Sequence, residues 1–146
     1  MPREHSFTTQ FCAQFQTATL LTKTYATTAE ELAPSDFPAF SLQLGKSSYH
    51  GLDNDGFLYL GSQEFTLRIF LRNTQLSQDV ALNTRGVYLG LAESFISHSF
   101  TPDPYLGGDT HRVTGTELIE TLPPIYDKLA TTQTIALRGK YSYVFL

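Results

Sequence analysis

Residues Glu64 to Arg72 read EFTLRIFLR. Phe65, Leu67, Ile69 and Leu71 alternate with Glu64, Thr66, Arg68 and Arg72, the period of two that a strand with one buried face requires, and only Phe70 breaks the polar side. A sheet lying against a core is therefore the first expectation, and the flanking sequence is read for what completes it.

Upstream, Lys46 to Gly61 is rich in turn formers, with Gly51, Asp53, Asn54, Asp55, Gly56 and Gly61, and predicts a long loop or a protruding hairpin. Before it, Phe40, Leu42 and Leu44 alternate with Ser41 and Gln43, which predicts a strand ending at Gly45. Pro34, Ser35, Asp36, Phe37 and Pro38 make a turn, because each proline removes a donor and biases the preceding residue away from helix. The β-branched stretch Thr17 to Thr28 suits a strand. At the N-terminus Phe7, Phe11 and Phe15 recur every four positions, with Ser6 placed to cap them, and predict an amphipathic helix.

Downstream, Val80, Val87, Leu91 and Phe95 can share one face of a longer helix within Ser77 to His98. The Gly- and Pro-rich segment Ser99 to Thr110 reads as a loop, Val113 to Thr121 as a strand, and Pro123 with Pro124 as a turn. Ile135, Leu137, Tyr141, Tyr143 and Phe145 fall on one face of a closing strand, opposite Arg138, Lys140 and Ser142. The sum is an α+β fold: a mixed or antiparallel sheet packed against two main helices, in a single domain spanning residues 1–146.

Composition limits the function. At 146 residues and 41% apolar content the chain can bury its own core. A formal charge of −4, with 16% charged residues, gives no strong basic field for holding a phosphate backbone, which argues against sequence-reading of DNA or RNA. A pore through which nucleic acid only passes stays compatible, since such walls should not bind. No apolar run has the length of a membrane span, and no secretion signal is expected. Cys12 lies among apolar residues and reads as a small core residue.

Motifs for chemistry are weak. Asp53, Asn54, Asp55 and Gly56 suggest a calcium loop, but with Gly56 at the turn position Gly51 falls where the first carboxylate belongs, so a tight turn is expected instead. His98, Asp103, Asp109 and His111 are metal-ligand types without a closed ligand spacing. Gly107 and Gly108 lack the lysine and spacing of a phosphate cradle, and no serine stands in a nucleophile elbow. Glu30, Glu31, Glu93, Glu117 and Glu120 are scattered and read as solvated. No catalytic residue, metal or cofactor is expected. Arg68 and Arg72, on the polar side of a strand, could face a partner subunit.

The order of elements resembles that of the tail terminator and tail completion proteins of long-tailed bacteriophages. The resemblance is carried by the N-terminal helix and short strand, then by Ser35, Asp36, Phe37, Pro38, Ala39 and Phe40 leading into an alternating strand. The turn-rich stretch with Asp53 to Asp55, the strand Phe65 to Leu71, a central helix and a closing hairpin ending in Tyr141, Ser142 and Tyr143 complete it. The longer insertion around Asp103 to Thr110 and the Pro123, Pro124 stretch depart from that pattern.

This resemblance implies a non-enzymatic virion protein that closes into a ring, typically a hexamer, on the last ring of the tail tube. Its partners would be further copies of itself, the tail tube protein and the head connector protein, with DNA met only in transit and no membrane. It would sit at the tail–neck junction, after assembly in the host cytoplasm. The loops 46–61 and 99–110 are expected to make the contacts, through Tyr49, Leu52, Phe57, Tyr59 and Tyr105, with Arg68 and Arg72 as the candidate partner-facing cations. Two other readings stay open: a small-ligand- or metal-binding α+β domain centred on His98 to His111, and a dimeric regulatory module using exposed Thr-rich strands.

Overall fold

A computed structural model describes residues 3–52, 59–72, 78–106, 108, 111–127 and 131–145, with only the backbone described at Leu52, Tyr59 and Gln78. Helix α1 (Arg3–Thr19) is followed by β1 (Thr22–Lys23), β2 (Ala39–Leu52) and β3 (Tyr59–Arg72). Then come α2 (Gln78–Ser94), β4 (His111–Thr121), β5 (Ile125–Asp127) and β6 (Thr132–Phe145). The strands form one six-stranded sheet in the order β1-β2-β3-β6-β4, with β5 also on β6. β1 pairs with β2 in parallel and all other pairs are antiparallel, so the fold is α+β with a mixed sheet.

Helix α1 begins at Arg3, ahead of the cap expected at Ser6. Ser6 is buried inside the helix, where its hydroxyl accepts a bond from Gln10 Nε2 at 3.3 Å. The helix also runs on through residues whose β-branching had pointed to a strand. The hydroxyls of Thr17 and Thr19 donate to the carbonyls of Ala13 and Phe15, at 3.0 and 2.7 Å, and so spend their polarity within the helix. It ends where Leu20 turns left-handed, φ 63°, with its N–H on the Gln16 carbonyl at 2.8 Å. The strand expected across 17–28 is only Thr22–Lys23.

The strand expected to end at Gly45 continues to Leu52, so of the two expectations for 46–61 the hairpin holds on either side of the undescribed residues 53–58. Register shifts between Leu44 and Ser47 and between Tyr49 and Gly51 carry it past the turn formers. The first is filled by Gln63, which is fully buried. Its Nε2 donates to the Gly45 carbonyl at 2.6 Å and to the Glu64 carbonyl at 3.2 Å, while its Oε1 accepts from the Ser47 hydroxyl. A bulge would leave a backbone carbonyl without its ladder partner, and this amide supplies one.

Both helices cover the same sheet face. Phe7 stacks on Tyr141 with centroids 4.0 Å apart, Phe11 lies 5.5 Å from Phe65, and Phe15 meets Phe40 edge-on at 4.8 Å. From the second helical segment Phe95 reaches both Phe11 and Phe15 at 5.1 Å. A π-turn at Phe95–Ser99, closed by the Phe100 N–H on the Phe95 carbonyl at 2.8 Å, brings Phe100 into the same cluster, 5.1 Å from Phe11.

Helix α2 is rotated from the expected face. Phe95 is buried as expected, but Val80, Val87 and Leu91 are exposed, and Ala81 and Ala92 lie inward instead. Their small side chains let the helix come close enough for Gln133 Nε2 to reach the Ala81 carbonyl at 3.4 Å. On the opposite face of the sheet Phe70, Ala39 and Ala136 are buried at one end, with Thr27–Glu30 and Leu122–Ile125 framing a cleft beside Arg68, and Val144, in register with Leu60, is buried at the other.

Two glycines test this packing from opposite directions. A Cβ on Gly139 would stand 2.6 Å from Phe65 Cζ and 2.9 Å from the Glu117 carbonyl oxygen, whereas one on Gly86 in α2 would meet nothing within 4 Å. Gly139→Ala should destabilise the protein by about 2 kcal/mol in urea unfolding, as overpacking does. Gly86→Ala should stabilise it by roughly 0.5–1 kcal/mol, the helix-propensity difference.

Candidate functional site

The described sheet has two open edges. β4 is bonded on one side to β6, and β2 is bonded to β3 along its length but to β1 only at Ala39 and Phe40. The edge strands, His111–Thr121 and Ser41–Leu52, are of similar length and run in opposite directions, since β2, β3, β6 and β4 alternate, and the β4 edge is engaged at Val113, whose N–H donates to the Pro104 carbonyl. Each strand carries two register shifts, those of β4 lying between Val113 and Gly115 and between Leu118 and Glu120. Bulges of this kind discourage indiscriminate pairing and favour a partner of matching irregularity. Along them Leu42, Leu44, Val113 and Leu118 are only half-buried, and Ile119 is exposed.

At one end of the sheet an aromatic group surrounds the start of α1. The Arg3 guanidinium lies 4.0 Å above the Tyr143 ring and its Nε donates to the Tyr141 hydroxyl at 3.2 Å. Burial pushes that hydroxyl up to about 12, against the opposing pull of Arg3, so it stays a neutral phenol. His111, at the start of β4, meets Tyr143 edge-on at 6.1 Å, and burial followed by the nearby Arg3 charge holds its imidazole below the usual value. Phe145 meets Tyr143 edge-on at 5.4 Å and stacks with Tyr49 at 6.4 Å.

The sheet face away from the helices carries a ladder of charge. Arg138 on β6 reaches Glu64 on β3 at 2.9 Å and Glu120 on β4 at 2.5 Å, so one guanidinium ties three strands together. Lys140 pairs with Glu117 at 3.1 Å, and Arg68 donates to Gln43 at 2.8 Å. Glu117 and Glu120, expected as solvated and scattered, are thus cross-strand partners: the β4–β6 register, which local sequence does not encode, sets them opposite cations. Glu31, expected in the same way, accepts from the Thr27 backbone and hydroxyl at 3.1 and 3.0 Å.

Of the expected contact residues, the structure gathers Tyr49, Leu52 and Tyr59 at the hairpin end, with Tyr49 well exposed. The Tyr105 loop is tied to the same end by the Val113 N–H on the Pro104 carbonyl at 2.6 Å, and Tyr105 is exposed. Phe57 lies outside the described residues. Arg68 sits mid-sheet and Arg72, exposed, at the far end of β3, roughly 40 Å along the strand from Tyr59 at the usual rise per residue, so neither joins that group. Sequence reading missed Arg3, Arg138, Glu64 and Phe145, because only strand register and helix placement bring them to their partners.

The residues weighed for a metal are dispersed. His98 is exposed on the π-turn, His111 is buried beside Tyr143, and Asp109 lies outside the described residues; among the described residues no three ligand-type side chains converge. The turn at 53–56 weighed for calcium also lies outside them. Burial pushes the Cys12 thiol above its ordinary value, which suits a core residue.

No family model and no curated protein matches the chain. Among solved structures, a chain from the virion of a native gene transfer agent particle is similar, with a TM-score of 0.58 and 9% identity, over 98% of this chain and 97% of that one. At that identity the likeness is one of fold, and it extends over nearly the whole of both chains.

The His111 environment gives a signed pH dependence. Its value is lowered on folding, so the unfolded chain binds the proton more readily. The stabilisation is complete above the ordinary histidine value near 6.5 and is lost as pH falls below it. Urea midpoints should therefore decline between pH 7.5 and 5.5, and His111→Gln should flatten that part of the profile.

Proposed function

We propose that this protein is a virion assembly component of a phage-like particle, which closes into a ring on the end of a tail tube, ends the tube's growth and joins it to the head connector. The observation that carries this reading is the pair of open sheet edges, opposite in direction and similar in length, on a chain with the fold of a gene transfer agent virion chain. The order of elements quoted from the sequence supports the tail-terminating role within that class.

The work done is steric and interfacial, and the protein is not an enzyme. When β4 of one copy lies beside β2 of the next, the antiparallel alternation of the sheet continues from copy to copy. A head-to-tail contact of this kind closes into a ring when the rotation per copy permits it, six copies being the expected number. The edges differ in charge only slightly: β1 and β2 carry Lys23 and Lys46 with no carboxylate, while β4 carries Arg112 with Glu117 and Glu120, both already paired with cations of β6. The half-buried Leu42, Leu44, Val113 and Leu118 would be covered by the same step.

The aromatic sheet end, with Tyr49 and Tyr105, offers a second surface that a ring would present on one rim, for the tube or the connector. A tube stops growing when its end is covered by subunits that fit it on one side and not on the other. Virion location, at the tail–neck junction after assembly in the host cytoplasm, follows from the same reading, as does DNA met only in transit.

Light scattering or native mass measurement at high concentration, with and without isolated tail tubes, tests the reading. The expected result is ring-sized mass, increased by tubes, and shorter tubes when the protein is present during their growth. Ile119→Lys, on the exposed β4 edge, should leave the melting temperature within a few degrees while abolishing rings, since edge lysines block strand addition. A strict monomer indifferent to tubes would defeat the proposal.

A further inference from the structure

The bare face of the sheet is hollowed at the end away from the hairpin. There Thr132, Thr134 and Ala136, alternate residues of β6, give a floor of small side chains, and Thr27–Glu30 and Leu122–Ile125 frame a cleft of about 290 Å³ above it. From Thr132 to Ala136 the floor runs about 13 Å at the usual rise per residue, the length of an extended segment of four residues.

Two groups in this cleft are incompletely satisfied. Arg68, half-buried and in register with Ala136, donates from Nη1 to Gln43 Oε1 at 2.8 Å, and no carboxylate among the described residues pairs with it. Ile125, in register with Thr134, lines the cleft while 66% exposed, beside the exposed Pro123. A guanidinium partly withdrawn from water is best met by a carboxylate, which matches its planar fork, and an exposed isoleucine gains by apolar cover. We infer that the cleft receives an extended segment of a partner virion protein, whose acidic side chain meets Arg68 and whose apolar neighbour covers Ile125. The choice of a protein segment over a free carboxylate rests on the assembly reading above.

Two carboxylates of the protein also line the cleft, and neither takes that place. Asp127 is in register with Thr132, at the other end of the floor from Arg68, and is already engaged within the protein. Glu30 is exposed, so water and salt screen it more than they screen the half-buried Arg68. With Arg68 at one end and Asp127 at the other, the floor is polar along its length and orients what lies on it.

NMR titration of the isotope-labelled protein tests this, with capped tripeptides that carry Asp between two residues drawn from Leu, Ile, Val and Phe. The same set with Asn at the centre, and free isovalerate, serve as comparisons. The Asp peptides should shift the amide signals of residues 27–30, 122–127 and 132–136 together. They should bind at least about fivefold more tightly than the Asn peptides, with a margin that shrinks as salt rises. Arg68→Gln should bring the two sets to equal affinity, and Ile125→Ser should weaken both while leaving the preference for Asp.

Equal binding of the two sets by wild type, no shift at the cleft, or isovalerate bound as tightly as the peptides overturns the inference. Ring mass measured on the same samples separates it from the ring reading. Rings without peptide binding defeat the cleft assignment alone, and peptide binding without rings defeats the ring reading alone.

Discussion

The structure depends on one steric arrangement: aromatic rings lying across glycines between sheet and helix. Phe65 on β3 covers Gly139 of β6 so closely that a single methyl there would collide with it, and Tyr143 lies over Gly61 in the same way, with 2.6 Å to an added Cβ. The missing side chains let large rings lie close against the sheet. Upon that bed α1 sets Phe7, Phe11 and Phe15, one per turn, all fully buried. Each such side chain contributes on the order of 1.5–3 kcal/mol when removed from water. The π-turn after α2 then serves the same cluster by bringing Phe95 and Phe100 both into contact with Phe11.

This concentration of apolar material on one face leaves the other face to polar work. Ion pairs rather than packing join β3, β6 and β4 there, and the charge ladder is the counterpart of the aromatic bed across the same strands. The candidate surfaces follow from the division. The edges stay largely open because the helices lie over the sheet, and at the aromatic end Arg3 fastens the helix start to the last strand. A protein built this way offers shaped and charged surfaces, which is what the assembly role proposed above requires.

Much of this was legible in the sequence where a period was strong. The alternation at Phe65 to Leu71 and at Ile135 to Phe145 gave the two central strands, and the four-residue phenylalanine spacing gave α1. Reading failed where a side chain's local bond outweighed its propensity. Thr17 and Thr19 stay helical by bonding back to the preceding turn, and Gln63 repairs the bulge that lets β2 run past Gly45. In α2 the larger Val80, Val87 and Leu91 drew attention from Ala81 and Ala92, whose value is their smallness. Of the candidate surfaces, the aromatic end was partly foreseen through Tyr49 and Tyr105. The charge ladder was not, because strand order and register are long-range facts.

That strand order also bears on how the chain reaches its shape. β6, the last strand in chain order, lies between β3 and β4 and supplies the only partner β4 has among the described strands. Until it inserts, β3 has one bare side and β4 has two, and Phe7 lacks the Tyr141 ring it stacks upon. A ribosome-bound chain short of residue 132 therefore lacks the middle of its own sheet, and β4 and β5 find their final places only with that last insertion.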